Sequence, residues 1–207
     1  MTGKCVIITG GNFSPIEKPD ANDFVIACDL GLKYAQASGI LPNLIIGDFD
    51  SYRGQIPSGI PVERFPSVKD DTDTMIAIRY AVSHGFKQIS LFCALGGRLD
   101  HLYANLQAAA FAAQNGSVVT LKDENTVIYI LCSGKICIPS QKGCSLSVFA
   151  FTDQCCGVSI HGTKYELEHA SLNNSFPLGV SNEWKESEAV ITVETGTLMI
   201  VLSKITD

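Results

Sequence analysis

The sequence predicts two unlike halves, an α/β half followed by an all-β half. Up to residue 123, short apolar runs that end at glycine or aspartate alternate with segments of helical periodicity. From residue 124 onward, short β-rich runs follow one another, separated by Gly, Ser, Asn and Pro. The first pattern is typical of a mostly parallel, Rossmann-like sheet with helices on its faces, and the second of an antiparallel sandwich or barrel. We therefore expect an α/β domain over 1–123 and a β-sandwich domain over 124–207.

Strands of the first half are predicted where β-type apolar runs are closed by glycine or aspartate. They lie at 4–9, 24–28, 44–46, 62–65, 88–95 and 117–121. Three helices are predicted between them, ending before Gly39, Gly85 and Gly116, because glycine suits the left-handed residue that ends a helix. The helix that begins near Thr72 has an apolar face of Met75, Ile78 and Val82. The third helix has an apolar face of Leu99, Leu102, Leu106, Ala109 and Ala113.

Strands of the second half are predicted from shorter runs of β-branched and aromatic residues. They lie at 126–131, 145–151, 157–161, 189–194 and 197–202. Turn-forming residues separate them, and the periodicity of a helix is absent from this half of the sequence. The first half is therefore predicted to be α/β and the second all-β, with only a short linker between them.

Composition limits the classes of function. The chain has 207 residues, a formal net charge of −6 and 46% hydrophobic residues. The negative charge argues against nucleic acid as a partner, since phosphate backbones call for a basic surface. No apolar stretch approaches the roughly 20 residues of a membrane span. The eight cysteines form no C-x-x-C pair, and the first residues have no signal-peptide pattern, so we expect reduced thiols in a cytoplasmic protein.

Carboxylates stand at several predicted strand ends. Asp29 follows the second strand, Asp48 and Asp50 follow the third in "GDFDS", and Asp73 lies in "KDDTDT" at the start of a helix. In an open parallel sheet, ligands bind beyond the carboxyl ends of the strands, so these side chains are expected to converge. Carboxylates grouped without histidine or cysteine favour a hard cation, above all Mg²⁺. For Asp29 a turn cap is an equal alternative, and a simple role as the helix N-cap is the alternative for Asp71 or Thr72.

A second polar cluster is "GGRLDH" at 96–101. Its two glycines allow the backbone to approach a ligand closely. Arg98 lies at a loop-to-helix junction, where its guanidinium can bind phosphate through a forked pair of hydrogen bonds. Asp100 falls in the first helical turn, where it can simply complement the helix dipole. His101 and Asn105 share one helix face, and a structural role is the more common one for such a histidine.

Taken in order, these motifs resemble those of the thiamine pyrophosphokinase family. The matching segments are Asp29-x-Gly31, "GDFDS" at 47–51, K-D-x-T-D at 69–73, "GGRLDH" with Asn105, "GTKYEL" at 162–167 and "GVSNE" at 179–183. The resemblance spans nearly the whole chain. Three residues depart from the family pattern: Leu30 interrupts a D-G-G run, Met75 stands where bacterial members often have Glu, and Thr163 stands where Leu is usual.

The resemblance implies that ATP gives its pyrophosphoryl group to the hydroxyl of thiamine, with thiamine pyrophosphate and AMP as products. It implies Mg²⁺ held by Asp48, Asp50 and Asp73, and catalysis by these three with Arg98. The implied ATP-binding residues are Asp29, Ser51, Lys69, Asp70, Thr72 and Arg98. The implied thiamine-binding residues are Asp100, Tyr165, Ser181 and Asn182. The family works as a homodimer with sites at the subunit interface, and its first domain handles ATP and magnesium.

Two other functions are compatible with parts of this pattern. A glycosyltransferase can use D-x-D at 48–50 with a metal and a sugar nucleotide, but "GGRLDH" and the all-β second half count against it. The other is a non-catalytic nucleotide-binding sensor, and the presence of all three aspartates counts against an inactive site.

The sequence does not decide whether Asp70 or Asp73 takes the proton from the attacking alcohol. Release of AMP from ATP with Mg²⁺ and thiamine distinguishes the three functions.

Overall fold

The computed structural model describes residues 3–49, 52, 54–65 and 71–205. The chain divides into two compact units, Met1–Glu124 and Asn125–Asp207. Each unit has its own sheet architecture and its own buried core.

The first unit contains six strands whose pairings are parallel among the described residues. They are β1 Cys5–Ile8, β2 Phe24–Cys28, β3 Leu44–Gly47, β4 Val62–Arg64, β5 Gln88–Phe92 and β6 Val118–Lys122. Their order is β6-β5-β1-β2-β3-β4. All four residues of β1 and of β3 are buried. Continuous apolar strands of this kind are typical of a parallel sheet covered on both faces.

The described residues of this unit form three helices: α1 Gly31–Ala37, α2 Asp73–Ser83 and α3 Leu99–Gln114. Thr72 is the N-cap of α2, since its Oγ1 accepts a hydrogen bond from the Met75 amide at 3.1 Å. Of the predicted α2 face, Ile78 is buried, whereas Met75 and Val82 are half-buried because the core-facing stripe is formed mainly by smaller residues. They are Thr74, Ala77, Ile78 and Ala81.

The predicted apolar face of α3 is correct at its end and wrong at its start. Ala109 and Ala113 are buried, but Leu99 is 77% exposed. Leu99 is the first residue of the helix, next to the loop that carries Arg98, and lies away from the alanine-rich stripe that packs inside. Small side chains on this stripe allow α3 to lie close to the sheet.

The second unit is built from antiparallel strands. They are β7 Thr126–Pro139, β8 Cys144–Ala150, β9 Gln154–His161, β10 Leu167–Asn173, β11 Gly179–Asn182 and β12 Glu188–Lys204. β12 pairs with β7 along its length, with β9 in its first part and with β8 in its last part. The predicted strands 189–194 and 197–202 are thus one strand, with a register shift between Val193 and Thr197 where Gly196 has φ +100°. This register shift divides β12 into a first segment that pairs with β9 and a last segment that pairs with β8.

Inward side chains from these strands form the core of the second unit. They include Ile138, Leu146, Val158, Ile191 and Ile200, each almost fully buried. The sequence analysis missed β10 and β11, which lie at the ends of the strand pairings and contain exposed polar residues. In the part of the chain that the structure describes, no helix is long and apolar enough to cross a membrane.

Candidate active site

A cavity of about 530 Å³ lies in the first unit at the carboxyl ends of its strands. Its wall is formed by the residues that follow β1 and β2, the first turn of α2, and the loop that leads into α3. The lining residues are Thr9, Gly10, Gly11, Asn12, Cys28, Asp29, Leu30, Tyr34, Thr72, Asp73, Thr74, Gly96, Gly97, Arg98, His101 and Asn105. This is the position at which open α/β sheets bind their ligands.

The segments that carry Asp29, Asp48 and Asp73 lie next to one another at this edge of the sheet. The Asp29 amide donates to the Ile46 carbonyl at 2.8 Å, and a Cβ placed on Gly47 would lie 3.2 Å from Asp29. Gly47 leads directly to the half-buried Asp48. Across the edge, the Cys28 thiol donates to the Asp73 carbonyl at 3.7 Å. Asp29 and Asp73 both line the cavity, so the ends of β2 and β3 and the start of α2 meet at one edge of the sheet.

Four predicted site residues, Asp50, Ser51, Lys69 and Asp70, lie outside the described residues. Within the described ranges, no group of three or more His, Cys, Asp or Glu side chains is placed to hold a metal ion. The donors at the edge are nevertheless of the right chemical type, because carboxylate oxygen suits a hard cation.

The loop of Gly96 and Gly97 is shaped by a close approach to Asn12. Both glycines have positive φ, +79° and +74°, and a Cβ on Gly96 would lie 2.8 Å from Asn12 Nδ2. The carbonyl of Cys93 accepts from the Gly11 amide at 3.0 Å, which ties the Asn12 loop to the end of β5. The two loops therefore form one wall of the cavity, and a side chain on Gly96 would displace Asn12.

Two further residues fix this wall, and sequence reasoning gave them no role. The Tyr34 hydroxyl donates to the Gly11 carbonyl at 2.9 Å, and burial raises the Tyr34 pKa. Asn12 itself lines the cavity. The signal for Asn12 was its place directly after the Gly10-Gly11 pair that closes β1. Tyr34 had none, since its role depends on contact between α1 and that loop.

Asn105 has a structural function in the described geometry. Its Nδ2 donates to the Ala94 carbonyl at 2.9 Å, and its side chain is buried. This bond ties α3 to the segment that precedes the glycine loop. His101, one turn earlier on the same helix, is exposed and lines the cavity.

Arg98 and Asp100 are brought together as an ion pair. Arg98 Nη2 lies 2.6 Å from Asp100 Oδ2, and Arg98 Nε donates to Asp100 Oδ1 at 3.1 Å. Hydrogen bonding to Arg98 lowers the pKa of Asp100, and the same bond raises the pKa of Arg98. Both side chains are mostly exposed, so solvent screens the pair and it contributes little to stability. The forked geometry is the one with which a guanidinium also binds phosphate.

The predicted thiamine-binding residues of the second unit lie near one another. Tyr165 is 64% exposed, and Lys164 Nζ lies 5.6 Å from the centroid of its ring. Asn182 Oδ1 accepts from the Tyr165 amide at 3.0 Å. Ser181 is exposed and has φ +57°, a conformation uncommon for a serine. The ring of Tyr165 therefore faces solvent, and Asn182 contacts the backbone that carries it.

Comparison with known proteins follows the same division of the chain. The family model described as thiamin pyrophosphokinase, catalytic domain, matches residues 18–121. The model described as thiamin pyrophosphokinase, vitamin B1 binding domain, matches residues 135–200. The chain belongs to the thiamin pyrophosphokinase family. The first match lies within the unit Met1–Glu124, and the second lies within the unit Asn125–Asp207.

Individual members of the thiamin pyrophosphokinase family are similar over most of their length. Thiamine pyrophosphokinase of Bacillus subtilis is 26% identical over 190 residues, which cover 89% of each chain. Thiamin pyrophosphokinase 1 of Caenorhabditis elegans is 28% identical over 169 residues, which cover 72% of this chain and 65% of that protein. The resemblance stated from the motifs is thus confirmed at the level of the family.

Solved structures of the family share the fold. The crystal structure of thiamine pyrophosphokinase from Bacillus subtilis matches with a TM-score of 0.88 at 23% identity, covering 98% of this chain and 100% of that one. The yeast thiamin pyrophosphokinase structure matches with a TM-score of 0.73 at 12% identity, covering 99% and 87%. The two-domain fold of the family is therefore present here.

Proposed function

We propose that the chain transfers the pyrophosphoryl group of ATP to the hydroxyl of thiamine, giving thiamine pyrophosphate and AMP. The observation that carries this assignment is the cavity, whose aspartates and glycine-arginine loop lie within the segment matched by the catalytic-domain model. The first, Rossmann-like domain (1–123) handles ATP and magnesium, and the sandwich domain (124–207) contributes to the thiamine pocket. Matches to both domain models disfavour a glycosyltransferase or a non-catalytic sensor.

Asp48, Asp50 and Asp73 hold Mg²⁺ in this proposal. Support comes from the placement of Asp48 and Asp73 at one sheet edge and from the hard-oxygen chemistry of their carboxylates. When bound with ATP, Mg²⁺ neutralises charge on the phosphate oxygens. The role of the protein residues is to hold the nucleotide so that its β-phosphorus faces the thiamine hydroxyl.

The nucleotide is proposed to contact residues from four segments of the first unit. These are Asp29, Ser51, Lys69, Asp70, Thr72 and Arg98. Thr72 Oγ1 already accepts a hydrogen bond from the Met75 amide, but the hydroxyl can still donate its own proton to a phosphate oxygen. Gly96 and Gly97 allow the phosphates to approach the backbone closely.

Arg98 and Asp100 exchange partners when the substrates bind. Arg98 turns its forked donors from the Asp100 carboxylate to the phosphate oxygens, where they stabilise the charge that develops during transfer. Asp100 is then free to accept from the aminopyrimidine of thiamine. The exchange requires little free energy, because an exposed ion pair of this kind is weak.

The attacking hydroxyl must lose its proton as it bonds to phosphorus. Asp73 and Asp70 both remain candidates for the base. Asp73 lines the cavity, and Asp70 lies three residues before it in the sequence. A carboxylate within hydrogen-bond reach of the alcohol is sufficient, since proton transfer accompanies the phosphorus–oxygen bond formation.

Thiamine is proposed to contact Asp100, Tyr165 and Ser181, with Asn182 beside them in the same pocket. The support for Tyr165 is its exposed ring, because an aromatic face attracts the cationic thiazolium and stacks on the flat pyrimidine. The Lys164 ammonium lies 5.6 Å from the centroid of this ring, a cation–π contact of the kind proposed for the thiazolium. We further propose that the chain acts in the cytoplasm as a homodimer, with the active site at the subunit interface.

The product identifies the reaction class. Incubation with ATP, Mg²⁺ and thiamine is expected to yield AMP only when all three are present, with thiamine pyrophosphate in equal amount. Thiamine omitted from the mixture is the control. ADP formation, UDP release from a sugar nucleotide, or no nucleotide product would each contradict the proposal.

A further inference from the structure

The side-chain amide of Asn182 uses every hydrogen-bonding position that it has. Its Oδ1 accepts from the Tyr165 amide at 3.0 Å and from the Glu183 amide at 2.9 Å. Its Nδ2 donates to the Tyr165 carbonyl at 2.7 Å and to Thr163 Oγ1 at 3.1 Å. An asparagine amide has two donors and two principal acceptor positions, so this side chain has no capacity left for a substrate. Only 6% of Asn182 is exposed.

The orientation of this amide follows from its partners. Rotating the amide by half a turn would point its NH₂ group at two backbone N–H donors and its oxygen at the Tyr165 carbonyl. Both sets of contacts would be repulsive, so the assigned orientation is the only satisfied one. The amide thereby acts as a peptide group from a neighbouring strand, pairing with both the N–H and the C=O of Tyr165.

Thr163 adds a second contact to the same backbone group. Its hydroxyl donates to the Tyr165 carbonyl at 3.1 Å while accepting from Asn182. Thr163 is fully buried, and it forms an isolated β-bridge with Trp184. Thr163 therefore anchors the network to the interior, and a leucine at this position could not form either hydrogen bond.

We propose that Thr163 and Asn182 are positioning residues, which hold the backbone of Tyr165 so that its exposed ring is presented to the substrate in one orientation. The inference rests on the proposed stacking of Tyr165 on thiamine, and it replaces a direct thiamine contact by Asn182 with an indirect one. Tyr165 is 64% exposed as a residue, so few packing contacts hold its side chain and the direction of the ring depends on the backbone that carries it. Both polar groups of that backbone are bonded to this network.

Thr163→Val tests the proposal, because it keeps the shape and removes the hydroxyl. Both hydrogen bonds of the hydroxyl are lost, and we expect the KM for thiamine to rise about fivefold, with kcat and the KM for ATP unchanged. Thr163→Ser should restore the wild-type KM. Asn182→Asp, which keeps the acceptors and loses both donors, should raise the thiamine KM in the same way.

Thr152→Val is the matched control. Its hydroxyl also bonds to backbone, accepting from the Thr197 amide at 3.0 Å and donating to the Gln154 carbonyl at 3.2 Å, at the opposite end of β9. We expect it to lower the melting temperature as Thr163→Val does, while leaving the thiamine KM unchanged. A Thr163→Val enzyme with lowered melting temperature and normal thiamine KM would mean a purely structural role and overturn the proposal.

Tyr165→Ala separates this inference from the proposed function. We expect Tyr165→Ala to raise the thiamine KM, and Thr163→Val to cause no further rise in that background, since the residue it positions is gone. Additive effects would mean that Thr163 or Asn182 acts on thiamine independently, which overturns the positioning role alone. An unchanged thiamine KM in Tyr165→Ala would overturn both the stacking role and the inference that depends on it.

Discussion

Arg98 and Asp100 form a forked ion pair, with Nη2 to Oδ2 at 2.6 Å and Nε to Oδ1 at 3.1 Å. The proposed mechanism gives these residues different substrates, phosphate for Arg98 and the aminopyrimidine for Asp100. In the described arrangement, the donors of Arg98 and the acceptors of Asp100 are bonded to each other and not to a substrate. Substrate binding must break the pair, and the two residues should respond differently when one is neutralised.

Asp100→Asn is expected to raise the KM for thiamine about tenfold, since a charge-assisted hydrogen bond is lost. The KM for ATP should stay the same or fall, because Arg98 no longer has to leave a carboxylate. Steady-state kinetics with each substrate varied in turn measures both. Glu17→Gln breaks a comparable pair, Lys122 Nζ to Glu17 Oε1 at 3.0 Å, and should change neither KM. A rise in the KM for ATP in Asp100→Asn would contradict the exchange of partners.

Asp48→Asn is expected to lower kcat by about 100-fold or more, the scale of a lost electrostatic contact to the transferred group. The fold should remain, with a melting temperature within a few degrees of wild type. Glu63→Gln is the matched control, because Glu63 is exposed on β4 and pairs in register with Ile46, near the end of β3. Retention of more than roughly a tenth of the wild-type turnover by Asp48→Asn would count against a direct role.

Gly96→Ala is expected to raise the KM for ATP about tenfold or more, because its Cβ would meet Asn12 Nδ2 at 2.8 Å and displace the cavity wall. Gly85→Ala separates this effect from backbone strain. Gly85 has φ +78°, close to the +79° of Gly96, but a Cβ there meets no atom within 4 Å. Both variants should lose about 1 kcal/mol of stability. Equal KM values for ATP in the two variants would show that the contact with Asn12 has no role.

Local signals explain which parts of the fold were predictable. An N-cap at Asp71 or Thr72 and the end of α2 before Gly85 follow from backbone chemistry within a few residues, and the structure has Thr72 as the N-cap and Gly85 after the end. The length of β12 was not predictable, because the register shift near Gly196 is visible only when its partners β8 and β9 are known. β11 has four residues, too few for a pattern to be recognised.

The candidate site divides in the same way. The sequence predicted that Asp29 lies at the carboxyl edge of the sheet and that the first turn of α2, with Asp73, faces the same edge, and both residues line one cavity. The saturated amide of Asn182 could not be predicted, because its four bonds reach residues up to 19 positions away. The same holds for Tyr34, whose bond to Gly11 spans 23 positions.

Burial makes one cysteine a source of alkaline instability. Loss of solvation raises the pKa of the buried Cys5 thiol from 9.0 to about 12, and the charge of Asp23 adds to the rise. The native state therefore holds this proton more tightly than the unfolded chain, so the stabilisation is intact below about pH 9 and is lost as the pH rises toward 12. Above pH 9, the unfolding free energy should fall more steeply for wild type than for Cys5→Ala.

Denaturant titrations at a series of pH values measure this difference, which should be on the order of 2 kcal/mol near pH 11. Cys137→Ala is the control, because Cys137 is exposed. Its stability curve should run parallel to that of wild type. Parallel curves for wild type and Cys5→Ala would refute the assignment to Cys5.

The site of attack on ATP is the central claim, and it can be measured by following phosphorus. ATP labelled at the β-phosphorus and ATP labelled at the γ-phosphorus are each converted with thiamine and Mg²⁺, and the products are separated. If the thiamine hydroxyl attacks the β-phosphorus, both labels are found in thiamine pyrophosphate and the AMP carries neither. Recovery of the β label in a nucleotide product would show transfer of a single phosphoryl group and contradict the account.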